Sequence, residues 1–312
     1  MKKALVTGGC GFIGSNLAQS LVSEGYDVTV VDDLSSPRED FSEIFKDNEN
    51  LELVPACFSA NYILDRIRKK EFDVVFHNAA IPRVSYSVEN PYETTNTNIN
   101  KTVKLLEACK DNVQRFVFAS SSSVYGGADI LPTKNSHPKD PKSPYAWQKS
   151  AIEDVIKIFC SLYEMDIVCL RYFNVFGPGQ FGGSAYSTAV SAWCHAIKNN
   201  TPLRSDGTGE QSRDMCYIDN VVQANIKAAN SKNKFRGECY NVACGDRVSN
   251  NEILTFLKNR FENIEIKNAP PRAGDVMHTQ ADITETTKEL GYTPEVKFWE
   301  GLETTLKWWD LC

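Results

Sequence analysis

Tyr145 and Lys149 stand four residues apart in SPYAWQK, a spacing that puts two side chains on one face of a helix. A lysine ammonium beside a phenol favours the phenolate, so the pair predicts a tyrosine of lowered pKa acting as a base. Tyrosine and lysine at this spacing are common on exposed helices. What sets this pair apart is SSSSVYG, whose Ser121 lies 24 residues before Tyr145 at the end of a predicted strand. Ser121, Ser122 or both could hydrogen-bond the oxygen that reacts at Tyr145.

A second chemistry is written near the N-terminus. TGGCGFIGSNL carries Gly8, Gly11 and Gly14 in GxxGxxG spacing. It lies between a predicted buried strand, KKALVTG, and a predicted helix from Ser15 to Glu24. Glycines there permit a tight turn and close approach of backbone to a pyrophosphate, which the helix N-terminus then faces. Glycines alone say little, but Asp32 at the tip of the next strand, YDVTVVDD, completes a dinucleotide site. A carboxylate at Asp32 or Asp33 can accept hydrogen bonds from the adenosine ribose and would repel a 2′-phosphate. No arginine follows immediately to offset that charge, so NAD is expected rather than NADP. The segment HNAA ends a fourth predicted strand, where chain passes close to the cofactor; small Ala79 and Ala80 suit that position, and His77 reads as structural.

The elements that must position these groups alternate through the first half. LELVPA, FDVVFHNAA, QRFVFASSSS and MDIVCLRYF read as further strands, Asn61–Lys70 and a segment beginning near Tyr145 as helices, and NPYETTNTNINKTVKLLEAC as holding one long amphipathic helix. Apolar strands separated by helices imply a Rossmann-type, doubly wound parallel sheet of the α/β class, covered on both faces. Past Asn174 the rhythm changes: a glycine-rich loop, FGPGQFGG, precedes shorter and more mixed elements, with YNVACGD able to rejoin the main sheet. The expected division is a dinucleotide domain of residues 1–174 plus about 215–250, and a smaller discontinuous substrate domain of about 175–214 and 251–312.

Composition fits a soluble globular protein. Of 312 residues, 42% are apolar and 24% charged, enough to bury a sizeable core. The net charge of -6 gives no global attraction for nucleic acid or acidic lipid. Ten scattered cysteines form no CxxC pair, and Cys57, Cys109, Cys160 and Cys169 sit in or beside apolar runs, as buried thiols of a reducing compartment would. MKKALVTGG is too short in apolar residues for a signal peptide, and no stretch approaches membrane length, so a cytoplasmic location is expected.

Taken together, TGGCGFIG, SSSVYG, YxxxK, RYFNVFGPGQ, SRDMCYIDN and RAGDVMHTQAD resemble the extended short-chain dehydrogenase/reductases that act on nucleotide sugars. Within that family the chain most resembles the UDP-hexose 4-epimerases that accept N-acetylated sugars. The resemblance implies NAD held by Gly8, Gly11, Phe12, Ile13, Gly14, Asp32, Asp33, Ala79, Ala80, Asn98, Tyr145 and Lys149. It also implies a UDP-sugar bound by Asn174, Arg213, Arg272, Asp275 and Thr279, with arginine suited to a diphosphate by its forked donors. Catalysis is expected at Tyr145, Lys149, Ser121 and Ser122, with no metal.

Related activities are separated by particular positions. The 4,6-dehydratases place an acidic pair before VYG where this chain has Ser122 and Ser123, and sugar decarboxylases place a glutamate there. At Thr279 hexose-only epimerases carry a tyrosine that blocks bulk at the sugar 2-position, so a small residue implies UDP-GlcNAc and UDP-GalNAc, with UDP-glucose and UDP-galactose also accepted. UDP-glucuronate 4-epimerisation is the alternative enzyme reading, and a non-catalytic NAD-binding sensor or scaffold the alternative class. Two departures from the family stand out: PACFSAN lacks the usual aspartate that touches adenine, and Lys101 replaces a common glycine. The family also implies a homodimer joined through 97–109 and 151–163, whose apolar stripes include Val103, Leu106, Val155, Ile158 and Leu162, although core packing explains such stripes equally well.

Overall fold

The computed structural model describes residues 1–46, 48–183, 187–271 and 276–311. Seven strands form one sheet: β1 (Lys3–Thr7), β2 (Asp27–Asp32), β3 (Leu51–Pro55), β4 (Val74–His77), β5 (Arg115–Ser121), β6 (Ile167–Tyr172) and β7 (Arg236–Val242). Their order is β7-β6-β5-β4-β1-β2-β3 and every pairing is parallel. The strand order reverses between β1 and β4, which opens a crevice at their carboxyl ends.

Side chains alternate between two cores. Ala4, Val6, Phe76 and Val117 point into one, with Leu17 and Leu21 of α1 (Phe12–Ser23). Leu5, Val75, Phe116 and Phe118 point into the other, with Ile63, Leu64 and Ile67 of α2 (Asn61–Arg68), Leu105 and Leu106 of α3 (Thr102–Cys109), and Ile152 and Ile156 of α4 (Pro144–Tyr163). Burial on both faces is why these strands read as near-continuous apolar runs. Cys109, Cys160 and Cys169 are buried free thiols and Cys57 is half-buried.

The smaller part carries α5 (Ala189–Lys198), α7 (Asn250–Arg260) and α8 (Phe298–Trp308), while α6 (Ile218–Asn230) packs on α1. Leu203–Asp206 pairs in parallel with Ile266–Ala269, and Ser212–Arg213 pairs antiparallel with Val248–Ser249. Among the described residues no helix is long and apolar enough to cross a membrane.

The stretch expected as one long helix differs from that expectation. It runs as Pro91–Thr95 (α), Asn96–Lys101 (π) and Thr102–Cys109 (α). The wide π turn holds Asn98, the buried residue of this segment. Leu106 lies wholly in the core rather than on an outer stripe.

Candidate active site

α4 begins where the sequence dictates. Ser143 accepts the Ala146 N–H at 3.2 Å as N-cap, and Pro144 fills the first helical position. Tyr145 is therefore in the first turn, anchored by its own N–H to Ser87 Oγ at 3.1 Å. Lys149 follows one turn on, and both side chains are buried. Across from them β5 ends at Ser121, whose hydroxyl is near enough to the Tyr145 phenol to pull its pKa down. Ser122 starts the next turn, Ser122–Tyr125. The structure thus brings Tyr145, Lys149 and Ser121 together.

The electrostatics differ from the expectation of a lowered tyrosine pKa. Burial pushes the Tyr145 phenol up to about 12, with the nearby Ser121 hydroxyl pulling the other way. Lys149 does not reverse this. Its ammonium lies 6.0 Å from the Tyr145 ring centre and donates to the Ala119 carbonyl at 2.6 Å. Burial also lowers the Lys149 pKa to about 8, opposed by the nearby Glu153 carboxylate. Desolvation outweighs the pairwise charge effect on which the expectation rested.

Several contributors were not singled out in the sequence. Glu153, one further turn along α4, is fully buried and takes Arg171 in a forked pair at 2.8 and 2.7 Å, plus the Ser120 hydroxyl at 2.6 Å. Its i, i+4 relation to Lys149 was the available signal. Gln148 joins α4 to the π turn by accepting from Asn98 at 2.8 Å. Asn98 also receives the Ile81 N–H at 2.8 Å and donates to the Ile81 carbonyl at 3.1 Å, so its side chain braces the segment that follows Ala79 and Ala80. His77 is buried between Thr7 and Thr102 at 2.7 and 2.9 Å, and burial lowers its pKa to about 3, keeping it neutral.

The glycine loop fits a dinucleotide. Gly8 has φ +70°, and a Cβ there would stand 2.7 Å from the Ala79 Cα; one on Gly14 would stand 2.2 Å from the Gly8 carbonyl oxygen. Gly11 caps α1 with no side chain, and Phe12 and Ile13 open the helix, so the first-turn N–H groups are left to a ligand. Asp32 accepts the Cys10 and Leu34 N–H groups, both at 2.9 Å, which ties the loop to the end of β2. Asp33 accepts from Ser35 N–H at 3.1 Å on the exposed side. Arg38, unremarked in the sequence, lies buried beside α1, but its guanidinium is engaged by Asp40 and by Ser15 Oγ at 3.1 Å. Its charge is therefore already met.

Just past the end of β6, Asn174 holds the left-handed φ of +31° and donates to the Asp214 carbonyl at 2.9 Å and to Thr279 Oγ1 at 3.1 Å. Asp214 N–H also donates to that hydroxyl, at 3.2 Å. The buried Asp214 carboxylate accepts N–H groups from Cys244, Gly245 and Ala281 at 2.8 to 3.0 Å; burial raises its pKa to about 7 against their pull. Arg213 donates to the Ser212 and Met277 carbonyls at 3.0 and 3.1 Å. Arg272 and Asp275 lie outside the described residues.

A glycine cradle and a Tyr–Lys–Ser cluster at the carboxyl edge of a doubly wound sheet define a dinucleotide-dependent enzyme of the extended short-chain dehydrogenase/reductase class. Comparison with known proteins narrows the class. A model of the NAD dependent epimerase/dehydratase family matches residues 4–243, and the chain belongs to that family, with NAD as its cofactor. It is 34% identical to a putative UDP-glucose 4-epimerase of Methanocaldococcus jannaschii over 97% of each chain. Among solved structures, it is 37% identical to the UDP-N-acetylglucosamine 4-epimerase of Methanobrevibacter ruminantium in complex with UDP-N-acetylmuramic acid, with a TM-score of 0.92 over 99% of this chain and 98% of that one. The Thermotoga maritima UDP-glucose 4-epimerase with UDP-glucose is 31% identical, with a TM-score of 0.91 and the same coverage.

Proposed function

We propose that this protein interconverts UDP-GlcNAc and UDP-GalNAc, and more slowly UDP-glucose and UDP-galactose, by inverting the sugar at C4. The observation that carries the reaction type is the Tyr145–Ser121 contact with Lys149 one turn away, beside the glycine cradle. NAD, when bound at the glycine cradle, would supply the hydride acceptor and donor for C4 of the sugar. Tyr145 takes the proton of the 4-hydroxyl and gives it back. Ser121 steadies the sugar oxygen, and Lys149 contributes positive charge and holds the nicotinamide ribose. Phe12, Ile13 and the Gly8–Gly14 loop receive the pyrophosphate, and Asp32 the adenosine ribose.

The sugar preference rests on Thr279. Its hydroxyl is committed to Asn174 and Asp214 N–H, which leaves a small side chain where the resemblance places a tyrosine in hexose-only epimerases. That volume suits a 2-acetamido group. The matched archaeal structure, which holds an N-acetylated UDP-sugar, supports the same reading. Asn174 and Arg213, with Arg272 and Asp275, are proposed to hold the UDP portion.

The test is purified protein with NAD and UDP-GlcNAc, UDP-glucose or UDP-glucuronate in parallel, followed by NMR. The N-acetylated sugar is expected to turn over fastest. UDP-glucuronate turning over fastest would replace this substrate reading with the glucuronate one.

A further inference from the structure

We propose that Ser123 is a positioning residue for the reaction: it occupies both lone pairs of Ser121 Oγ, so that the Ser121 hydroxyl can act only as a donor toward Tyr145 and the reacting oxygen. The inference rests on the reading of Tyr145 as the base.

The geometry is local and specific. Ser123 Oγ donates to Ser121 Oγ at 2.9 Å, and Ser123 N–H donates to the same oxygen at 3.2 Å. A serine hydroxyl has one O–H and two lone pairs. With both lone pairs taken, the remaining capacity of Ser121 is its proton, and its remaining partner is Tyr145. The direction of that bond matters. A hydroxyl that donates to the tyrosine oxygen stabilises the phenolate; one that accepts from it stabilises the neutral phenol. Ser123 therefore selects the orientation that assists proton removal. The turn that begins at Ser122 makes this possible, because it folds residue 123 back over the end of β5 with Ser121 as cap.

Lys149 lies 6.0 Å from the Tyr145 ring on α4, and Ser121 meets it from β5. Burial already opposes ionisation, so reversing the Ser121 bond acts on a group with little margin.

The experiment compares wild type, Ser123→Ala and Ser123→Thr, each saturated with NAD. The Tyr145 phenol is titrated by ultraviolet absorbance, with the same titration of Tyr145→Phe subtracted, and kcat and KM are followed against pH. Ser123→Ala frees one lone pair of Ser121 while keeping the backbone N–H. It is expected to move the phenol titration and the rising limb of kcat upward by about one pH unit, lowering kcat near neutrality about tenfold with KM unchanged. Ser123→Thr keeps the donor and is expected to behave as wild type. An alanine variant that titrates and turns over as wild type overturns the role of Ser123 alone, as does a threonine variant as impaired as alanine. A Tyr145→Phe protein that still inverts C4 overturns the underlying reading, and the Ser123 role with it.

Discussion

At the scale of single residues, the chemistry is set by burial as much as by pairing. Tyr145 and Lys149 share a helix face, yet each is shifted toward its neutral form by the same dry surroundings. This gives a stability prediction with a definite sign. Lys149 has a folded pKa near 8, below its ordinary 10.5, so between those values the unfolded chain binds the extra proton and stability rises with pH. Relative to Lys149→Met, cofactor-free wild type should gain about 2 kcal/mol from pH 8 to pH 10 in urea unfolding. A constant difference would show that the ammonium is not buried. Thr279→Tyr tests the pocket: turnover of UDP-GlcNAc should fall at least about tenfold, while UDP-glucose is retained. The candidate site residues stood out because the chemistry they suggest restricts both identity and spacing, as at Gly8, Tyr145 and Lys149. The rise in the phenol pKa was not legible, because desolvation depends on neighbours that the sequence places far away. Ser123 was visible only as the absence of an acid.

At the scale of elements, α4 acts as a rod carrying Tyr145, Lys149 and Glu153 at successive turns. The rod is fixed at depth by the fully buried Glu153–Arg171 pair, which links it to β6. Removing one charge from a buried pair strands the other, so Glu153→Gln should cost about 3–5 kcal/mol of stability, measured by denaturant unfolding. A loss below 1 kcal/mol would mean that the pair is not dry. The start of α4 was readable from Ser143 and Pro144, and the strands from their apolar runs. The π turn at Asn96–Lys101 was not, because its sequence keeps the composition of a helix and the partners of its Asn98, Ile81 and Gln148, are distant in the chain. The two-residue strands of the smaller part are too short to show any period.

At the scale of the whole molecule, the sheet order puts the glycine loop, the end of β5 and Asn174, just past β6, on the same carboxyl edge of the sheet, with Thr279 bonded to Asn174. α4 has an outward face as well. Ile158 is 55% exposed and Leu162 66%, whereas Leu106, expected on the stripe of the other helix, is wholly buried. We therefore propose that a homodimer forms through α4, and that Ile158→Glu with Leu162→Glu yields a monomer by sedimentation while keeping NAD bound. A monomeric wild type would remove that proposal. The fold class was legible because apolar strand runs alternate with helices through the first half of the chain. Which apolar residues face solvent depends on helix rotation, which periodicity constrains only loosely.

The central claim is that this crevice removes a hydride from C4 of a UDP-sugar and returns it to the other face. The most direct test is NMR of UDP-GlcNAc incubated with wild type and with Tyr145→Phe, with NADH followed in the same samples. The account predicts that wild type forms UDP-GalNAc with no net NADH, and that Tyr145→Phe forms none while still binding NAD. NADH accumulating with a stable oxidised sugar, or C4 inversion that persists without the Tyr145 hydroxyl, would contradict it.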